Sequence, residues 1–147
     1  MSAHPHPAAP SPWVVRFAGL VPRGGTVLDL ACGSGRHARF LAGRGCLVTA
    51  VDRDPEALAG LGAVPGVSPV RADLERAPWP LAGRRFQAVV VASYLHRPLF
   101  PSIRAALAEG GVLLYETFMR GNEALGRPSS PDFLLEPAFR HLEIDEV

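Results

Sequence analysis

Between residues 29 and 73, acids and glycines are spaced for holding a nucleoside. Asp29 stands inside the apolar run TVLDLA, followed by the turn CGSG with Gly33 and Gly35. Glycines at such a turn let the chain reverse sharply and let a ligand lie against bare backbone. The helix that starts near Arg36 then aims its first amide groups at that ligand. Asp52 closes the next apolar run, CLVTAVD, where a carboxylate is placed to accept both hydroxyls of a ribose. Asp73, after VSPVR, is placed to accept from the exocyclic amine of adenine. An acid inside an apolar strand is expensive to bury without a partner, so Asp29 too is expected to have a role.

These residues need a scaffold of alternating strands and helices. Ser11 and Pro12 supply a capping hydroxyl and a first-turn proline to a short helix with Trp13, Val14, Phe17 and Leu20 on one face. TVLDLA, CLVTAV, VSPVR, FQAVVVA and GVLLYET read as five strands, the first, second, fourth and fifth rich enough in apolar residues for a parallel sheet. RHARFLAG, a segment capped by Asp54 and Pro55, and IRAALAEGG read as the crossing helices. Pro69 cannot donate to a ladder, which confines the third strand to a sheet edge. The alternation predicts an α/β fold: a doubly wound, mainly parallel, Rossmann-like sheet in the order 3-2-1-4-5. The prolines of ADLERAPWPLAGRR predict an irregular crossover before strand four. Ser130 to Asp132 are expected to cap a brief helix, and HLEIDEV to begin a partial sixth strand.

The chain of 147 residues has 15 basic and 14 acidic side chains scattered along it, so no basic stripe points to nucleic acid. An apolar share of 48% without a run near ~20 residues predicts no membrane span. Cys32 and Cys46 make neither a disulfide framework nor a metal site, so no metal and a reducing cytoplasm are expected. Residues 1–10, rich in Pro and His and lacking a secretory pattern, are read as a disordered tail, leaving 11–147 as one domain.

Taken together, VLDLACGSGRHARFLA, VTAVDRDPEAL and RADLE resemble the class I S-adenosylmethionine (SAM)-dependent methyltransferases, and most closely their small bacterial, tellurite-resistance-type members. The resemblance runs from about Trp13 onward. It implies SAM as cofactor, held by Asp29, Ala31, Gly33 and Gly35 in the first motif, Asp52 and Arg53 after strand two, and Asp73 and Leu74 after strand three. Ser93, opening SYLHR after strand four, falls on the segment that lines the methionine and adenine side. The family usually closes its sheet with a further hairpin, so a chain ending at Val147 is expected to be truncated. No Asn-Pro-Pro-Tyr-like motif follows strand four, which argues against a nucleobase amine and for a small-molecule methyl acceptor.

Methyl transfer from a sulfonium is an in-line displacement, and alignment alone supplies roughly 7–11 kcal/mol of such a barrier. His96 is the candidate base for the acceptor's proton, because an imidazole titrates near neutral pH. Tyr94 and Glu116 are its competitors. Plainer roles are expected elsewhere: Cys32, Trp13 and Trp79 as packing groups, Trp13 being the better ligand candidate, His37 as a solvated helix residue, and Arg120 and Arg127 as loop cations. The resemblance also implies Arg36 and His37 as neighbours of the methionine part. Gly33-Ser-Gly35-Arg-His-Ala38 also fits a dinucleotide fingerprint, so an NAD(P)-dependent oxidoreductase is the alternative, with a non-catalytic SAM-binding module as a third reading.

Overall fold

The computed structural model describes residues 9–119 and 134–135. Its elements are α1 (Pro12–Phe17), β1 (Thr26–Leu30), α2 (Arg36–Gly43), β2 (Leu47–Asp52), α3 (Pro55–Ala59), β3 (Val67–Arg71), β4 (Phe86–Ala92), α4 (Phe100–Ala106) and β5 (Leu107–Glu116). The five strands form one parallel sheet in the order β3-β2-β1-β4-β5. A separate parallel pairing joins β6 (Phe118–Met119) to β7 (Leu134–Leu135). Among the described residues no helix is long and apolar enough to cross a membrane.

Alternation along the central strands divides the core in two. Val27, Ala88 and Val90 pack with Val48, Val14 and Leu41 on one face. Leu28, Leu30, Val89 and Val91 pack with Leu95, Ile103 and Tyr115 on the other. Because neighbours point to opposite faces, Asp29 shares the side of Val27, toward α2. β3 lies at the edge, with Pro69 opposite Ala50, as its missing N–H requires. The crossover from β3 to β4 contains turns and no helix.

Two boundaries differ from the pattern in the sequence. IRAALAEGG does not stay helical: α4 ends at Ala106 and Leu107 already pairs with Phe86. The register then shifts so that Ala88 pairs with Val112, an excursion that Gly110, at φ 74°, makes possible. At the other end of the chain α1 stops at Phe17 and tightens into a 3-10 turn, which carries Leu20 off the apolar stripe and leaves it 57% exposed. The helix expected at 130–132, the sixth strand expected in HLEIDEV, and Arg120 and Arg127 lie outside the described residues.

Candidate functional site

The carboxyl ends of β2, β1, β4 and β5 open into a crevice made of three adjoining hollows. The first is lined by Asp52, Arg53, Asp73, Leu74, Glu75 and Tyr94 together with Ala31. The second lies over β1 and β4 and is lined by Asp29, Ala31, Cys32, Gly33, Arg36, His37 and Ser93. The third runs from Ala9–Pro12 across Arg36 and Ser93 to Glu116 and Thr117. Ala31 joins the first to the second, and Arg36 and Ser93 join the second to the third. This is the topological switch of the sheet, where crossovers leave on opposite faces and a ligand finds an opening.

Asp52 is fixed by its own surroundings. Its Oδ2 accepts from the Gly33 N–H at 2.8 Å and its Oδ1 from the Asp54 N–H at 2.9 Å. Each carboxylate oxygen keeps a further acceptor position, so both remain able to accept from a ligand. Asp73 is held the same way, its Oδ1 accepting from the Glu75 N–H at 3.0 Å.

Asp29 is buried, and its Oδ2 has no hydrogen-bond partner among the described residues. Burial, followed by the nearby charge of Asp52, raises its pKa to about 7, although the Ala38 N–H donates to it. Asp29 lines the second hollow, and a buried carboxylate oxygen without a partner calls for a hydrogen-bond donor there.

Backbone conformation marks the same spot. The described residues other than glycine with positive φ are Ala31 at 52° and Ser93 at 57°. They stand immediately after β1 and β4, the two strands that flank the switch. Such conformations cost on the order of 1–3 kcal/mol each and persist where surrounding structure enforces them. The Ser93 N–H donates to the Glu116 carbonyl at 2.7 Å, and the Cys32 N–H to the Val51 carbonyl at 3.0 Å.

The two glycines of the loop have different tasks. A Cβ on Gly33, at φ 57°, would meet no protein atom within 4 Å, so its bare face opens onto the crevice. A Cβ on Gly35, at φ 87°, would run into the methyl groups of Leu61, which is fully buried. Of the sequence-predicted cofactor residues, the crevice gathers Asp29, Ala31, Gly33, Asp52, Arg53, Asp73, Leu74 and Ser93, whereas Gly35 faces the core.

Tyr94 lines the first hollow and donates its hydroxyl to Glu75 Oε2 at 3.2 Å. Burial and then the charge of Glu75 push the phenol's pKa further up. His96 is not among the lining residues of the three hollows; its Nδ1 lies 3.9 Å from Glu75 Oε1. Glu75 therefore ties together two residues that follow β4, a role not foreseen from its place in RADLE. Cys32 has its thiol pKa raised by burial and by Asp29, as suits a packing group.

His37 departs most from expectation. It is buried, and its Nε2 accepts from the Ser11 N–H at 3.1 Å, so water is not its partner. Period alone put it on the solvated side of α2, because the segment that covers it lies far away in sequence.

Solved structures share this architecture. A TehB-like SAM-dependent methyltransferase from Corynebacterium glutamicum aligns with TM-score 0.60 and 25% identity over 69% of this chain and 59% of its own. A SAM-dependent methyltransferase from Mesorhizobium loti gives 0.59 and 25%, over 71% and 53%. A glycopeptide N-methyltransferase crystallised with S-adenosylhomocysteine gives 0.63 and 27%, over 79% and 55%. The chain thus spans little more than half the length of these relatives. No protein in the curated set matches it. The sequence profile described as a methyltransferase domain matches residues 27–112, from β1 into β5, and the chain belongs to that family.

Proposed function

We propose that this protein is a SAM-dependent methyltransferase acting on a small molecule in the cytoplasm. The observation that carries the reading is the buried carboxylate of Asp29, with Oδ2 unpartnered, in the hollow that Gly33 also lines and within the field of the orientated Asp52. That set fits a nucleoside with a cationic amino-acid end. Asp52 would accept from the ribose hydroxyls and Asp73 from the adenine amine, with Ala31, Arg53 and Leu74 as walls. Asp29 would take the ammonium, directly or through water, and Ser93 would border the methionine end. Family membership weighs against the oxidoreductase reading, which shared the glycine pattern.

SAM, when bound, supplies a methyl group activated by its sulfonium. The chain's own contribution is to hold, orient and exclude water. Strained backbone at Ala31 and Ser93 opens the two strand ends, and the hollow reaching Glu116 and Thr117 gives an acceptor room beside the cofactor end. His96 is proposed to take the acceptor's proton, with Glu75 as the carboxylate that orients its ring. Because His96 lines none of the three hollows, Glu116, which lines the acceptor's, is the competing base. Tyr94, kept protonated by burial and by Glu75, serves as a hydrogen-bond donor and not as a base.

Calorimetry tests the cofactor assignment: the full chain should bind S-adenosylhomocysteine and not NAD, and the reverse preference would overturn it. With an acceptor identified, His96→Ala should lower kcat and spare cofactor affinity. A kcat within about threefold of wild type, under 1 kcal/mol, would leave positioning as the whole mechanism.

A further inference from the structure

The first two residues of α2 both reach back to the start of the chain. The Arg36 guanidinium donates to the Ala9 carbonyl at 3.4 Å, and His37 Nε2 accepts from the Ser11 N–H at 3.1 Å. Ser11 and His37 are 5% and 4% exposed. Ser11 is the N-cap of α1, and its hydroxyl accepts from the Val14 N–H at 3.1 Å. In a capping box the residue at that third helical position returns a side-chain acceptor to the cap's own N–H. Here that position is Val14, which has none to offer. The imidazole of His37, from another element, supplies the missing acceptor.

We propose that His37 is a positioning residue that completes the cap of α1 and so docks residues 9–12 as the wall at the amino-acid end of the crevice. The proposal rests on the cofactor reading given above for its ligand, though not for the docking itself. The geometry requires a neutral ring with its proton on Nδ1, since only then does Nε2 accept. Burial, reinforced by the charge of Arg36, keeps it neutral by lowering its pKa to about 4. Residues 9–12 face Ser93, Glu116 and Thr117 across the third hollow, and Arg36 belongs to both the second and third. The wall therefore adjoins the amino-acid end and shares no hollow with Asp52 or Asp73. A ligand lacking the amino-acid end should not sense it.

The test uses the full chain and two probes, S-adenosylhomocysteine and 5′-deoxy-5′-methylthioadenosine, which keeps the nucleoside and lacks the amino-acid end. In ligand-free protein, His37→Leu should abolish the slow hydrogen exchange of the Ser11 amide. It should weaken S-adenosylhomocysteine about tenfold or more and leave the methylthio nucleoside within about threefold, because a buried hydrogen bond and the wall it holds are lost. His37→Gln, whose amide oxygen reaches near the place of Nε2, should restore both. Ser11→Pro deletes the donor at a φ of −64°, which proline shares, and covers the case in which His37→Leu fails to fold. Ser11→Ala controls for the hydroxyl. Retained protection of Ser11 in His37→Leu, equal weakening of the two ligands, or a Gln variant no better than Leu would each overturn the proposal. A wild-type chain that binds neither nucleoside overturns the cofactor reading and the ligand part of this one, while the exchange data still judge the docking.

Discussion

The crevice has two ends built on different plans. At the β2–β3 end, Asp52 and Asp73 each accept from an amide two residues on, so the strand end and its following turn orient the acid largely locally, with one further bond to Asp52 from the Gly33 N–H. At the β4–β5 end, the wall draws on residues 9–12, Arg36, Ser93 and Glu116, joined by contacts such as Ser93 N–H to the Glu116 carbonyl. A ligand common to many enzymes can be held by short local devices. The β4–β5 end is assembled from pieces that only the finished fold brings together, and no motif spells them out.

The comparison is broken most severely at the glycine loop. Gly35→Val overpacks against Leu61, which costs about 1–3 kcal/mol. Forcing a side chain to φ 87° costs roughly 1–2 kcal/mol more. A lower Tm and lost ligand binding are expected together. Gly33→Ala, at φ 57°, carries only that backbone cost and no overpacking, so its Tm should fall less than that of Gly35→Val, and it should still weaken S-adenosylhomocysteine because its Cβ enters the crevice. Equal thermal effects in the two variants would show that the loop is one structural unit without a ligand-facing side.

Asp52→Ala should weaken S-adenosylhomocysteine by roughly 10- to 150-fold, the value of a charge-assisted hydrogen bond or two. Glu116→Gln, at the other end, should change that affinity by less than about threefold, since the Glu116 contact that orders Ser93 is made by its backbone. Calorimetry on both variants decides whether the Asp52 side chain contributes to cofactor affinity where the Glu116 side chain does not. Comparable losses would erase the distinction.

The local plan explains what the sequence disclosed. Asp29 within β1, Gly33 in the turn after it, Asp52 at the end of β2 and Asp73 just past β3 all attach to apolar runs that are plain in the sequence, and the sheet order follows from alternation and from Pro69. The burial of His37 is not legible in helical period, because its partner Ser11 lies 26 residues away. The contact between Gly35 and Leu61 is equally nonlocal, and the glycine spacing does not disclose it. Glu75 joins Tyr94 and His96 only after β3 and β4, which flank β2 and β1, bring their following loops together.

Two buried titrating groups within the second hollow give a finer test. Asp29, with its pKa raised to about 7, binds a proton in the native state that the unfolded chain releases above its ordinary 3.8, so its contribution to stability falls as pH rises from about 4 to 7. His37, lowered from 6.5 to about 4, is neutral when native and charged when unfolded, so its contribution falls as pH drops through that window. The slopes oppose, each approaching about 1.4 kcal/mol per pH unit at most. Asp29→Asn should therefore make stability rise more steeply with pH between about 4 and 6.5, and His37→Gln should make it fall, by urea denaturation at a series of pH values. Asp29→Asn should also stabilise the ligand-free protein near pH 8 while weakening S-adenosylhomocysteine. Parallel profiles in all three proteins would mean that neither group is held in the unusual state its burial dictates.

The smallest effect is expected at Tyr94, on the border between the two ends. Its hydroxyl donates to a Glu75 side chain that is 42% exposed, so Tyr94→Phe leaves that carboxylate to water without stranding a buried group. A net hydrogen bond of this kind contributes about 0.5–1.5 kcal/mol. The ring itself is half-buried against the core beside Leu95, and phenylalanine preserves that packing. The loop keeps a second tie, because the Tyr115 hydroxyl donates to the Tyr94 carbonyl at 2.7 Å. Tyr115 is buried, so Tyr115→Phe removes a better-shielded bond and should cost more stability than Tyr94→Phe. Tyr94→Phe should accordingly bind S-adenosylhomocysteine within about threefold of wild type. A loss beyond about tenfold would mean that the hydroxyl touches the ligand itself, and the β2–β3 end would then extend across the crevice to β4.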